Sequence, residues 1–325
     1  MVIIYTIYGF RFHCDLHLDA LSKYSDNHGI IDYPEIRIMT LQSDISPSIG
    51  CFPPLENAYG HFFPMTDSGL FVYKDKTNIY LTPRSLEISP QSFVSQRIYH
   101  EICGASLIIL SRFHHRAVLH GSAVCYKGKA YLFCALPGFG KSTLTAAFIA
   151  FHPEVFLLTD DIICIDKQGR YIFRGVSHVY LNHDSFLFFN SMNLPLRNWR
   201  EAQTNQNNDQ KYMLSVIENA ESTPPNHMTV PIGGVFFIGP PCASGLLQIT
   251  PLESSDLFLE TIKHMKFKDS MDCKAMKNEL NAITRLTANS EILGAQICLE
   301  RDYSLLDTIS NMILRYIDEQ NENTF

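Results

Sequence analysis

The chain has 325 residues, 46% of them hydrophobic and 18% charged, a globular composition that excludes a disordered or low-complexity protein. Its 26 basic and 33 acidic residues give a formal charge of −7, which argues against broad binding to a nucleic-acid backbone but leaves room for one small positive site. Nine cysteines, an odd number with no CxxC pair, suggest neither a disulfide framework nor a zinc knuckle.

The first residues, MVIIYTIYGF, alternate like a strand and lack the basic start and small-residue cleavage site of a signal peptide. No apolar run reaches the length of a membrane span. Together with the scattered cysteines, this predicts a soluble cytoplasmic protein with reduced thiols and no membrane partner. Residues 1–95 read as short strands, for example 2–8, 36–41 and 70–73, punctuated by Pro47, Pro53, Pro54 and Pro64. We expect them to form a β-rich N-terminal domain, accessory or substrate-facing, with 96–325 as a second domain.

Over 95–113, Ile98, Ile102, Ala105, Ile109 and Phe113 recur at helical spacing, which predicts one amphipathic helix. Strands are expected at 117–126 and 130–135, joined as a hairpin through Lys127, Gly128 and Lys129. A glycine-rich loop, a helix at 142–151, a strand at 155–158 and Asp160-Asp161 follow, together a βαβ unit. Residues 200–230, crowded with Asn and Gln, are expected to be an irregular mobile loop, and 231–240 a buried strand. The remainder is expected to be mostly helical, ending in a helix over 304–318 capped by Ser304 and Asp307. The fold class is therefore α/β, in the α+β sense.

The chemistry concentrates in Ala135-Leu136-Pro137-Gly138-Phe139-Gly140-Lys141-Ser142-Thr143. It is a phosphate loop in all but its first position, where Ala135 replaces glycine. Glycines let successive backbone N–H groups curl around a phosphate, a lysine reaches the terminal phosphates, and a hydroxyl ligates magnesium. Gly138 and Gly140 supply the curvature, Lys141 the cation and Ser142 the ligand. The helix that follows adds its positive end. Ala135 fits if its φ is negative. Asp160 and Asp161 end the next strand, where one carboxylate can orient magnesium and the other accept a proton. His120-Gly121-Ser122 closes a hydrophobic run just upstream. The adjacent His114 and His115 point in different directions and make no metal site.

In the order HGSAV, hairpin, GKST, DD, the chain resembles the HPr kinase/phosphorylase family, and within it the HPr-kinase-like serine kinases, including those found beside lasso-peptide biosynthesis enzymes. YTIYGF followed by Cys14-Asp15-Leu16 is similar to the YxxYGL…SDLPL opening of that group. The resemblance implies an HPr-kinase-like P-loop core and a kinase that uses ATP and Mg2+ to phosphorylate a serine. Its acceptor would be the C-terminal serine of a ribosomally made precursor peptide. It implies Asp160 as general base, Asp161 and Ser142 on magnesium, and Lys141 with the loop residues Pro137 to Thr143 on the nucleotide. His120 would lie beside the transferred phosphoryl. Arg174 matches the arginine of the family's ExRG signature, whose acidic position is Ile172 here, so the resemblance carries over neither a second metal contact nor the phosphorylase direction. Lys211, in the polar loop, is a second candidate cation over the phosphates. A homo-oligomer is compatible with the family. A phosphate loop says nothing about the acceptor, so free serine, another small metabolite or a carrier protein stay open, as does a non-catalytic nucleotide-binding regulator.

Overall fold

The computed structural model describes residues 2–25, 33–42, 55–57, 60–65, 68–192, 201–206, 209–215, 229–242, 245–266 and 273–322. Among these the fold is mixed α/β. The N-terminal part contributes β1 (Ile3–Ile7), β2 (Phe10–Cys14), β3 (Glu35–Thr40), β4 (Leu55–Asn57), β5 (Gly60–Met65), β6 (Ser68–Tyr73), β7 (Asn78–Thr82) and β8 (Ser85–Ile88). They form one sheet in the order β1-β2-β3-β8-β7-β6-β5-β4, in which only the β2–β3 and β3–β8 pairs are parallel. Alternation decides the faces: Phe10, Phe12 and Cys14 of β2 are buried and the residues between them are not. Tyr8 and Gly9 both have positive φ, which makes the β1–β2 connection a type I′ turn whose twist matches its strands.

The helix expected over 95–113 is two: α1 (Ser95–Ile102) and α2 (Ala105–Phe113). Gly104 breaks it, with φ −136° and ψ −132°, and a Cβ there would sit 2.5 Å from the His100 carbonyl oxygen. Both helices pack their apolar faces on the N-terminal sheet, and that core continues into Val118, Ile162, Cys164 and Phe173.

Next come β9 (Ala117–Tyr126), β10 (Lys129–Ala135), α3 (Lys141–Phe151), β11 (Phe156–Thr159), β12 (Ile162–Ile165), β13 (Tyr171–Phe173), β14 (His178–Leu181) and α4 (His183–Ser191). The β9–β10 hairpin forms as expected, with positive φ at Lys127 and Gly128. β9 lies antiparallel to both β10 and β11, so the β10–α3–β11 crossover straddles it.

The chain continues through β15 (Glu201–Gln206), β16 (Asp209–Ser215), β17 (Thr229–Ile238), β18 (Leu247–Pro251), α5 (Ser254–Lys263), α6 (Cys273–Thr287), β19 (Leu293–Leu299) and α7 (Leu306–Glu322). Two expectations are corrected here, on the irregular segment and on the cap of α7. The segment read as irregular contains β15 and β16: β16 pairs with the edge of β14 and β15 pairs with β16, a backbone ladder that the polar composition does not announce; residues 216–228 lie outside the described ones. The C-terminal part is mostly helical, as expected, but it also holds two strands: β19 pairs parallel with β17 and antiparallel with β18, inside the main sheet. The strand expected at 231–240 is β17, buried along most of its length. The α7 entrance is capped by Asp302, whose side chain accepts from the Ser304 N–H, rather than by Ser304 and Asp307.

The second sheet runs β10-β9-β12-β13-β17-β19-β18, and β10 also pairs with β17, so β10, β9, β12, β13 and β17 close a circuit. α5 and α6 cover one side, and α3 and α7 cover another. Cys14, Cys103, Cys125, Cys134, Cys164, Cys242 and Cys298 are free, and among the described residues no helix is long and apolar enough to cross a membrane.

Candidate functional site

The loop between β10 and α3 carries the phosphate-loop residues. Ala135 is the last residue of β10, buried and paired with Ile238 in extended backbone, so alanine is tolerated where the pattern asks for glycine. Gly138 (φ 82°) and Gly140 (φ 83°) are left-handed, and no atom lies within 4 Å of where a Cβ would stand on either. Left-handed residues so spaced build the concave backbone nests that hold anions. Pro137 is exposed beside them, and Phe139 is half-buried against the β19–α7 core. Gly140 is the N-cap of α3, so the helix starts at Lys141 with its N–H groups toward the loop. Thr143 turns away and shares a hydrogen bond with Ser185 of α4 at 2.8 Å.

Below the loop, Lys141, Ser142, Ser122 and Asp160 form one buried cluster. Lys141 Nζ lies 3.0 Å from Asp160 Oδ1 and 3.2 Å from Ser122 Oγ. Ser142 Oγ donates to Asp160 Oδ1 at 3.2 Å, and the Tyr180 N–H donates to Oδ2 at 3.0 Å. Ser122 Oγ also donates to Asp160 Oδ1; burial pushes this carboxyl up, but the Lys141 ammonium and the hydrogen bonds from Ser122, the Tyr180 N–H and Lys141 outweigh it and hold it below the usual carboxylate range.

Asp161 faces the other way. Its backbone is left-handed (φ 73°), a conformation that costs a non-glycine residue about 1 kcal/mol. That twist separates two adjacent carboxylates: the Asp160 side chain is 1% exposed and the Asp161 side chain 46%. Asp161 Oδ1 lies 3.1 Å from His120 Nδ1, and Oδ2 lies 3.0 Å from Lys266 Nζ. Nδ1 also stands 3.2 Å from the Asp161 carbonyl oxygen. A carbonyl only accepts, so Nδ1 carries a proton, and in the neutral ring Nε2 is the accepting nitrogen. Burial raises the Asp161 carboxyl, but the His120 hydrogen bond and Lys266 charge hold it well below its ordinary value.

Register explains why the HGS and DD motifs meet. β9 pairs His120 with Ile162 and Ala123 with Thr159, so the β11–β12 junction carrying both aspartates lies across from His120 and Ser122. Gly121 keeps the crossing clear: a Cβ there would come within 2.6 Å of Ile163 Cδ1 and 3.0 Å of the Phe133 carbonyl oxygen.

The remaining candidates stand on other elements. Arg174 is buried after β13; its guanidinium donates to Ser177 Oγ and its carbonyl accepts the Tyr8 N–H. Ile172 is part of the hydrophobic core, so β13 offers no carboxylate at that position. Lys211 sits in β16 opposite Thr204, on a strand rather than an irregular loop; its side chain lies outside the described residues. Ser122 stands inside a recognised motif without having been singled out. Lys266 carries no local sequence signal at all and reaches Asp161 only through the fold.

A cleft of about 750 Å³ opens between α5 and α6, lined mainly by Leu252, Leu259, Ile262, Met265, Met276 and Leu280. It contains no phosphate-loop residue. The chain matches no protein-family model and no curated protein.

Proposed function

We propose that this protein is a kinase of the HPr-kinase-like P-loop type, which uses ATP and magnesium to phosphorylate a serine hydroxyl. The observation that carries the reading is the pairing of an open, doubly left-handed glycine loop with a buried Lys141–Ser142–Asp160 cluster beneath it and a separate His120–Asp161 pair beside it. Phosphoryl transfer asks for just these parts: an anion cradle, a mobile cation, hard oxygen donors and a proton acceptor.

The hydrogen bonds favour a division of labour between the aspartates that reverses the one implied by the family resemblance. Asp160 Oδ1 and Ser142 Oγ are two hard oxygen donors side by side, which suits magnesium, a cation that takes few protein ligands. Bound there, magnesium would offset the charge of the transferring phosphoryl group. Lys141 leaves Asp160 to reach the phosphates. Asp160, with both oxygens occupied, is poorly placed as a base. His120 Nε2, with Asp161 on Nδ1, accepts the serine proton as Oγ attacks the γ-phosphorus and the bond to the bridging oxygen breaks, leaving ADP.

The acceptor we propose is the C-terminal serine of a ribosomally made precursor peptide, on the strength of the resemblance to the lasso-associated kinases. The test is incubation with ATP, Mg2+ and peptides ending in serine or alanine, read by mass spectrometry. We expect one phosphoryl group on the serine peptide only. Asp161→Asn should lower the rate about 10²-fold or more while nucleotide binding persists, the scale of disabling the general base that it orients. Failure to bind ATP would refute the kinase reading. Binding without transfer to any serine acceptor, small molecules included, would make the protein a nucleotide-dependent regulator.

A further inference from the structure

The segment after α5 leaves the helix and runs beside β9. Met265 forms an antiparallel bridge with Leu119, the His120 N–H donates to the His264 carbonyl at 2.7 Å, and the Lys266 N–H donates to the Val118 carbonyl at 3.0 Å. His264 to Lys266 is thus a short extra strand on the stretch of β9 that carries His120.

A second restraint acts on the other side of Lys266. Its carbonyl accepts from Arg112 Nη2, and Arg112 Nε is paired with Glu279 at 2.6 Å, both side chains almost wholly buried. A buried ion pair adds little net stability over apolar packing, so an orienting role accounts better for its presence. Here it joins α2 to α6 and grips the backbone of Lys266.

We propose that Lys266 is a positioning residue for the proton-accepting pair, holding the Asp161 carboxylate so that it fixes the His120 ring. The inference rests on the kinase reading given above. Asp161 is half-exposed on a left-handed turn, and among the described contacts its carboxylate is held by two side chains, His120 on Oδ1 and Lys266 on Oδ2. The bridge sets both of them, since its first residue binds the His120 backbone and its last carries the lysine. Lys141 is engaged with Asp160, so each aspartate has its own lysine: one that moves to phosphate and one that stays. Lys266 neither gives nor takes a proton. It lowers the freedom of Asp161, and with it that of the ring whose Nε2 receives the proton.

The test uses the full chain, Mg·ATP and the serine peptide that the wild type phosphorylates, or water as acceptor if ATP is hydrolysed. Lys266→Met should lower kcat about 10²-fold, the scale on which misplacing a catalytic group acts, with the Kd for Mg·ATP unchanged. Lys266→Arg should restore most of the rate. In an Asp161→Asn background, Lys266→Met should add no further loss, which a lysine acting directly on phosphate would not obey. Wild-type kcat in Lys266→Met, or a full additional loss in the Asp161→Asn background, would overturn the proposal while leaving the kinase reading intact. Should Lys266→Met fail to fold, Lys266→Gln carries the same comparison. A wild type that neither binds ATP nor transfers phosphate removes both.

Discussion

At His264 the side chain and backbone do different jobs. The carbonyl holds His120, while the buried ring stacks on Phe237 with centroids 5.6 Å apart. Burial, and then the nearby His120, push the imidazole down to about 4; Glu260 opposes this and Lys263 adds to it. The folded protein therefore keeps His264 neutral where the unfolded chain takes up a proton, and the unfolded state gains protons between about pH 6.5 and about pH 4. The stability that this ring contributes is complete above the upper value and lost as pH falls to the lower one, by at most about 1.4 kcal/mol per pH unit. Urea unfolding across that window should show the loss, and His264→Phe should flatten it. A variant with the wild-type slope would show that other groups cause it. The two aspartates, both held below the carboxylate range, lose their contribution only at more acid pH.

Between elements, the α2–α6 contact centres on Arg112 and Glu279. Burial pushes the Glu279 carboxyl up, and Arg112 pulls it only part of the way back. Arg112→Met strands that carboxylate in the core and should cost about 3–5 kcal/mol, measured by urea unfolding at neutral pH. Replacing both residues, Arg112→Met with Glu279→Leu, should recover most of the loss. If the double variant is no more stable than the single one, desolvation of Glu279 is not the cause. Elements with strong local signals were legible in advance: the Lys127-Gly128 turn and the apolar period of α2 each announce themselves within a few residues. β15 and β16 were not, because β16 is placed by its ladder with β14 and by the stacking of Tyr212 on Phe186, neither of which is a local signal, and β15 pairs in turn with β16.

For the molecule as a whole, the Tyr8-Gly9 turn locks the N-terminal sheet onto the phosphate-loop part. Arg116 lies 4.0 Å over the Phe10 ring and 3.9 Å over Phe173, and donates to the carbonyls of Tyr8 and Gly9 at 2.7 Å each. Tyr8 shares a hydrogen bond with Thr159, the residue before the aspartates, at 3.2 Å. A Cβ on Gly9 would overlap the Phe173 ring, and one on Gly175 would overlap Tyr8. Arg116→Ala removes two cation–π contacts and two charged hydrogen bonds, and should cost about 3 kcal/mol or more. Urea unfolding followed by near- and far-ultraviolet circular dichroism should detect it, and Arg116→Lys should not restore it because an ammonium lacks the planar fork. Wild-type stability in Arg116→Ala would mean that this joint does not hold the two parts together.

The phosphate loop, its helix, the paired aspartates and the HGS motif could all be read from the chain, because each depends on residue types at short spacing: glycines for left-handed backbone, a lysine after them, acids at a strand end. Direction was decided only in three dimensions. The left-handed Asp161 sends two adjacent carboxylates to opposite partners, β9 register chooses His120 for one and Ser122 for the other, and a bridge from a distant segment adds Lys266. Local sequence sets backbone propensity within a few residues, whereas the partner of a side chain depends on which strands lie side by side, and that is settled by burying the whole core at once.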